Sequence, residues 1–362
     1  ISKPLTLSAS GKGVVIHGDG TGSVITVTAS YVTVDGLTIE NSGPKHQTVD
    51  AGITVRGADN VKILRNRIRD CLFGINFEQT NRSVIEDNDI TSLPVSLGLK
   101  GDGIRLWYSH GNLIRMNRTR YVRDNVFWYS SANKIYENSG ADSRYSLHFM
   151  YADRNEILSN DYRRNSVGIF LMFSQGSTLK RNFVADSTGP FGIGIGMKES
   201  SDILVEENQI LYNARGFYLD SSPYQPSTFN TFRGNEINFN TTAFLLHGTL
   251  LPSLFESNVF KGNIEDVAND TPESKLEINT WRSNYWDNYE GFDRNDDGYG
   301  DIPHEQWMYA DRIWSYLPAA KFFYASPVLD FMNFLWRLMP FSEPVLLARD
   351  ARPQIRERGT EK

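Results

Sequence analysis

One motif recurs through most of this chain at nearly constant spacing, and it fixes the fold class before composition is considered. The unit reads apolar-x-x-Asn-x-apolar, as in Ile63-Leu64-Arg65-Asn66-Arg67-Ile68 and Ile85-Glu86-Asp87-Asn88-Asp89-Ile90. It returns at Asn117, Asn138, Asn160, Asn182, Asn208, Asn235, Asn258 and Asn284, with successive gaps of 22, 29, 21, 22, 22, 26, 27, 23 and 26 residues. An earlier copy, 32–39, carries Leu37 in the asparagine slot. A second short strand, often opened by glycine, precedes most copies: Gly52-Ile53-Thr54-Val55, Gly74-Ile75-Asn76-Phe77, Gly103-Ile104-Arg105-Leu106 and Gly168-Ile169-Phe170-Leu171.

Strands this short cannot close a core alone, but stacked coils can, each pairing its backbone with the coil above and below. At roughly 4.8 Å per step, about eleven coils make a rod on the order of 50 Å long. The asparagine then stacks at a bend, where its amide bonds its neighbours and its backbone tolerates left-handed angles. The expectation is an all-β, right-handed parallel β-helix over residues 1–284. A Trp/Asp-rich segment, 285–318, and an apolar capping or docking tail, 319–362, follow it. A leucine-rich repeat has a similar period but requires a leucine framework that is absent. Gaps above 22 mark insertions around Ser92–Lys100, Ser187–Phe191, Ser221–Thr228 and Leu250–Ser253, which are candidate functional edges.

Composition removes several classes. With 43 acidic against 37 basic residues, the net charge of −6 argues against nucleic-acid binding, which needs clustered cations. A single cysteine, Cys71, excludes a disulfide framework and cysteine-based zinc or iron–sulfur sites; its slot reads as a small stacked turn residue. The greasiest stretch, Phe322 to Phe341, is interrupted by Asp330, Asn333, Arg337 and prolines. The chain opens at Ile1 without a leader, which reads as a processed or trimmed product.

Counting from the asparagine column assigns the two faces of one sheet. Positions thirteen and eleven before it (Ile53/Val55, Ile75/Phe77, Ile104/Leu106, Leu147/Phe149, Ile169/Leu171) are apolar and face inward. The alternate positions face outward and begin as ordinary solvent chemistry, Thr54/Arg56 and Asn76/Glu78. They then change to Arg105/Trp107, Val126/Trp128, His148/Met150 and Phe170/Met172. Such a patch on a rod has three readings. One is a protein contact or covered face, using Arg105, Trp107, Trp128 and Phe170. Another is a soft-metal site, because the thioethers of Met150 and Met172 with the His148 imidazole suit Cu(I). The third is sugar stacking on Trp107 and Trp128. The column Tyr108, Tyr129, Tyr151, Phe173 reads as inward corner packing.

Near the C-terminus, Asp293-Arg294-Asn295-Asp296-Asp297-Gly298-Tyr299-Gly300-Asp301 fits the opening of a calcium loop. Oxygen ligands would come from Asp293, Asn295, Asp297, Tyr299 and Asp301. His304 stands where an EF-hand places its bidentate glutamate, so any calcium here would be structural. In the tail, Pro327 suits a helix first turn, and Val328, Phe331, Leu335 and Leu338 fall near helical spacing. Phe334 and Trp336 widen that apolar surface, so Phe331, Leu335 and Trp336 are candidate docking residues.

The repeat, with Asn284-Tyr285-Trp286-Asp287-Asn288-Tyr289-Glu290-Gly291 running into the acidic loop, resembles the NosD-type periplasmic proteins. The tail, Ser326 to Pro340, is similar to that family's C-terminal segment. The resemblance implies an exported, non-catalytic factor that matures the copper centres of nitrous oxide reductase. It also implies docking on an ABC transporter's permease and ATPase, a copper chaperone as donor, and copper or a sulfur species as transient cargo. The rival class is a β-helix polysaccharide lyase, hydrolase or binding protein. Such enzymes need paired carboxylates, or calcium with a base, in a surface groove. The register count finds no outward column with two carboxylates within one coil of each other beside a basic residue.

Overall fold

The computed structural model describes residues 1–11, 13–308, 318–323, 326–338 and 344–357. Strands of two to six residues repeat in sets of three per coil and stack into three sheets of 14, 12 and 11 strands. Pairing between coils is parallel; in the C-terminal segment His304–Met308 runs antiparallel to Val345–Asp350, and Tyr299 bridges Gln354 in the same sense. The expected β-helix is borne out, with about twelve turns. The eleven-stranded sheet runs from Ile25–Val27 to Glu265–Asn269 and carries the face of interest.

The asparagines form one continuous hydrogen-bonded column. Each amide Nδ2 donates to the Oδ1 of the next coil's asparagine at 2.9–3.1 Å, from Asn66 through Asn284. The same Oδ1 accepts the backbone N–H of the asparagine before it, as Asn160 Oδ1 does from Asn138. The side chain thus satisfies backbone groups at a bend that is sealed from water. The left-handed backbone angle belongs to the preceding residue and not, as the sequence suggested, to the asparagine. Arg65, Asp87, Met116, Glu137 and Ser159 all have φ between 53° and 57°. A second column, Asn213–Asn240–Asn263, lines another corner. Cys71 occupies that corner in an early coil, buried, with its thiol pushed up to about 11 by burial.

Inward parity follows the count: Ile53, Val55, Ile75, Phe77, Phe149, Ile169 and Leu171 are fully buried. The core changes character along the rod. Branched aliphatics fill the first coils, whereas stacked rings fill the last: Phe217 on Phe244 at 4.5 Å, Phe255 on Trp281 at 3.9 Å and Phe260 on Trp286 at 4.1 Å. Stacked coils place identical positions one step apart, so planar side chains pile face to face.

The C-terminal segment returns to cover the open end of the rod, which would otherwise expose a raw sheet edge. Val345–Asp350 joins the last strand of the 14-stranded sheet, and His304–Met308 pairs outside it. Asp266 sits beneath this cover, accepting from Asn263, Asn288 and Gln306. Burial pushes its carboxyl up to about 6, against the hydrogen bond from Asn263. Below about pH 4 the group is protonated folded and unfolded alike; as pH rises the unfolded chain loses the proton first, so stability falls until the folded group also ionises. Asp266→Asn removes this slope. Its unfolding free energy gains about 3 kcal/mol relative to wild type between about pH 4 and pH 7. Chemical denaturation across that range reads the effect, and parallel pH profiles for the two proteins would refute it.

Candidate functional site

The outward face of the eleven-stranded sheet is built from columns, because parallel register sets equivalent residues side by side. Trp107 pairs with Trp128, Trp128 with Met150, and Met150 with Met172. In the neighbouring column, Arg105, Val126, His148 and Phe170 follow one another. The sequence-derived patch is therefore contiguous. His148 Nε2 lies 3.3 Å from Met172 Sδ, and Met150 stands beside both. The imidazole is only 11% exposed, with Tyr145 stacked on it at 4.7 Å and 18°. Phe170 is buried, its ring lying over Gly196, where an added Cβ would meet ring carbons at 2.3 Å. Val167, Phe170 and Ile193 form a small apolar cluster with Tyr145, Met172 and Tyr218 packed against it. This wall shields the imidazole–thioether pair from water on one side.

On the other side, Trp107 and Trp128 meet edge to face at 5.3 Å, with the Arg105 guanidinium 5.1 Å from the Trp107 ring. Arg105 donates to Asn76 Oδ1 at 2.9 Å and approaches Glu78 at 3.9 Å, so its charge is neutralised on the sheet. The aromatic corner differs from expectation. Tyr108, Tyr129, Tyr151 and Phe173 have φ of 47–53°, and that left-handed kink turns their side chains outward. Tyr108 and Tyr151 are 44% and 45% exposed, and the rings stack at 4.8–5.3 Å. Stacking offsets the cost of a left-handed backbone at residues other than glycine.

The register count also missed a charged network. Asp102 and Asp124 lie on adjacent coils, 3% and 2% exposed. Arg123 bonds Asp102 at 3.0 and 3.1 Å, and Arg144 grips Asp124 through two nitrogens. Two carboxylates one coil apart beside arginines and His148 are the arrangement the sequence reading found absent. Burial pushes the Asp102 carboxyl up to about 6 against the pull of Arg123. Asp124 moves the other way: burial is outweighed by the Arg144 and His148 contacts, and it stays below the ordinary carboxylate range.

The acidic loop is engaged internally. Asp293 accepts the N–H groups of Asp297 and Gly298, and Asp301 accepts that of Arg294. Asp297 accepts from Tyr299 N–H and from Arg352, whose guanidinium covers the Tyr299 ring at 4.0 Å. Among the described residues no three histidine, cysteine or carboxylate side chains converge as a metal cage, so calcium at Asp293, Asn295, Asp297, Tyr299 and Asp301 is unsupported. Arg352 ties Asp297 to the C-terminal segment. In the tail, the expected helix forms over Pro327–Leu338, with Val328, Phe331, Phe334 and Leu338 more than half exposed and Leu335 40% exposed. The Trp336 side chain lies outside the described residues.

The model of the NosD family, described as periplasmic copper-binding protein, matches residues 94–291, more than half of the chain. The chain belongs to the NosD family. A right-handed β-helix model matches residues 8–114. The chain is 27% identical over 388 residues to the probable ABC transporter binding protein NosD of Pseudomonas aeruginosa, covering 98% of this chain and 85% of that protein. It is 28% identical over 376 residues to the protein of the same name from Stutzerimonas stutzeri, covering 94% and 80%. Among solved structures, the periplasmic alginate epimerase AlgG superposes with a TM-score of 0.57 at 12% identity, covering 72% of this chain and 71% of that one. That likeness shows the shared fold. The NosD-matched span contains every residue of the Arg105–Met172 face.

Proposed function

We propose that this NosD-family chain is a periplasmic, non-catalytic partner of an ABC transporter that assists copper delivery to nitrous oxide reductase. It holds Cu(I) transiently between His148, Met150 and Met172. The observation that carries this reading is the 3.3 Å approach of His148 Nε2 to Met172 Sδ, with Met150 in the adjoining rung, on an outward face. One imidazole and two thioethers form a soft, neutral donor set that favours Cu(I) over hard cations. A thioether donates electron pairs to a soft cation, which supports copper over a sulfur species as cargo. Trp107, Trp128, Arg105 and the exposed aromatic corner surround the site with a surface suited to a copper chaperone or the reductase. Phe331, Leu335 and Trp336 on the tail helix would dock on the permease, and through it the ATPase. Among the described residues no helix is long and apolar enough to cross a membrane.

Anaerobic Cu(I) titration against a chromophoric chelator tests the reading. The His148→Ala/Met150→Ala/Met172→Ala variant loses the high-affinity site and, because the three side chains are half-buried, some stability, whereas the fold persists because none of them lies in the central core. Equal Cu(I) affinity in the two proteins would refute it.

One observation favours a second reading, action on a polysaccharide. Asp102, Asp124 and His148 are carboxylates and a base on one face of a β-helix, with the Asp102 carboxyl near neutrality. Turnover of acidic polysaccharides that is abolished by Asp102→Asn would establish it in place of the first.

A further inference from the structure

Asp124, His148 and Met172 lie on a diagonal across three consecutive coils, each one coil up and one column over from the last. The two ring nitrogens of His148 face different neighbours. Nε2 faces Met172 Sδ at 3.3 Å, while Nδ1 is buried, lacks a hydrogen-bond partner and lies 3.8 Å from Asp124 Oδ2. Asp124 is itself fixed: Arg144 Nε donates to Oδ1 at 2.9 Å and Arg144 Nη2 to Oδ2. Tyr145 stacks on the imidazole face at 4.7 Å, which opposes turning of the ring about its Cβ–Cγ bond.

We infer that Asp124 is a positioning residue for His148, holding the neutral imidazole with Nδ1–H toward the carboxylate and the Nε2 lone pair toward Met172 Sδ. The other tautomer would set the Nδ1 lone pair against a buried carboxylate. Only the first aims a nitrogen and a sulfur lone pair at one point, which is what a soft cation needs from the pair. Residues acting this way on a metal-bound histidine typically change affinity by roughly 10- to 100-fold. The inference rests on the Cu(I) reading for its purpose, whereas the tautomer itself is a property of the metal-free chain.

The test uses the full chain labelled with ¹⁵N-histidine, which has six histidines, with His148 assigned by its absence in His148→Gln. Long-range ¹H–¹⁵N spectra above the histidine titration show the Nδ1–H form at His148 in wild type. They show a shift toward Nε2–H in Asp124→Ala. Cu(I) competition shows affinity falling roughly 10- to 100-fold in Asp124→Ala and partly restored in Asp124→Glu. Should Asp124→Ala fail to fold, the isosteric Asp124→Asn carries the same comparison. An Nε2–H His148 in wild type, or unchanged tautomer and affinity in the Asp124 variants, overturns the inference. If His148→Ala leaves Cu(I) affinity unchanged, the copper reading falls, and the spectra still decide the link between Asp124 and His148.

Discussion

Asn160→Ala lowers the unfolding free energy by about 3 kcal/mol, the cost of leaving one buried backbone N–H without a partner and removing the amide's three other bonds. Asn160 is 1% exposed and bonds in four directions. Its Oδ1 accepts the Asn138 backbone N–H at 2.9 Å and the Asn138 amide at 3.0 Å. Its Nδ2 donates to the Ile135 carbonyl at 3.0 Å and to Asn182 Oδ1 at 2.9 Å. The Asn138 side chain retains Ile114 O and Tyr136 O, and Asn182 Oδ1 retains the Asn160 N–H. The Asn138 N–H keeps nothing, whereas the Ile135 carbonyl keeps its ladder bond from the strand above, where Tyr136 pairs with Leu158; alanine leaves too little room for water to replace the amide. Such an orphan costs about 1–3 kcal/mol, far beyond the loss of a surface ion pair. Arg163→Ala, which removes an exposed pair with Asp161 in the same coil, is the control, at about 0.5 kcal/mol or less. Urea unfolding measures both, and hydrogen exchange at the Asn138 amide localises the damage. A midpoint for Asn160→Ala matching that of Arg163→Ala would show that the column is ornamental.

The same column explains how much could be read in advance. A repeated polar residue inside a run of apolar ones has few uses, and hydrogen bonding along a stack is the one that explains a constant spacing. Parity counted from it holds as long as strands stay regular, which is why Trp107, Trp128, His148, Met150 and Met172 fall on the expected face. It fails where the backbone stops alternating. Between the pairs Asp124–Tyr145 and Val126–His148, two steps on one strand face three on the other, an irregularity that sets Tyr145 on the His148 ring and that no count of two could supply. At the corner, left-handed Tyr108, Tyr129 and Tyr151 reverse the assignment from packing to surface. The arginine clamps were hidden for another reason. Asp102 and Arg123, or Asp124 and Arg144, are 21 and 20 residues apart and meet only because one coil has that length. The tail lay further out of reach: Asp350 meets Asn284 across 66 residues with no repeat to carry the register.

Asp350→Ala unfastens the C-terminal end of the rod, at a cost of about 5 kcal/mol, because a buried carboxylate there accepts from several donors at once. Asp350 is fully buried. Its Oδ2 accepts the Asn284 N–H at 2.8 Å, the Asn284 amide at 2.9 Å and Trp286 Nε1 at 3.3 Å. Its Oδ1 accepts the N–H groups of Ser283 at 3.0 Å and Arg352 at 3.1 Å. Toward Asn284 it does what the next asparagine of the column would do, so the tail ends the ladder with a borrowed rung. Alanine strands these donors beside Trp281 and Trp286, which tilt against each other at 5.8 Å, and the last coil opens while earlier coils, which bond only their own neighbours, persist. Tryptophan fluorescence therefore reports an early transition that circular dichroism largely misses. Asp350→Asn separates hydrogen bonding from charge: its single Oδ1 can take both Asn284 bonds, as asparagines do at every lower step. That variant loses the contacts with the N–H groups of Ser283 and Arg352, at about 1–2 kcal/mol. Equal losses for the alanine and asparagine variants would mean that the cap is held by packing of its strands and owes nothing to the column beneath it.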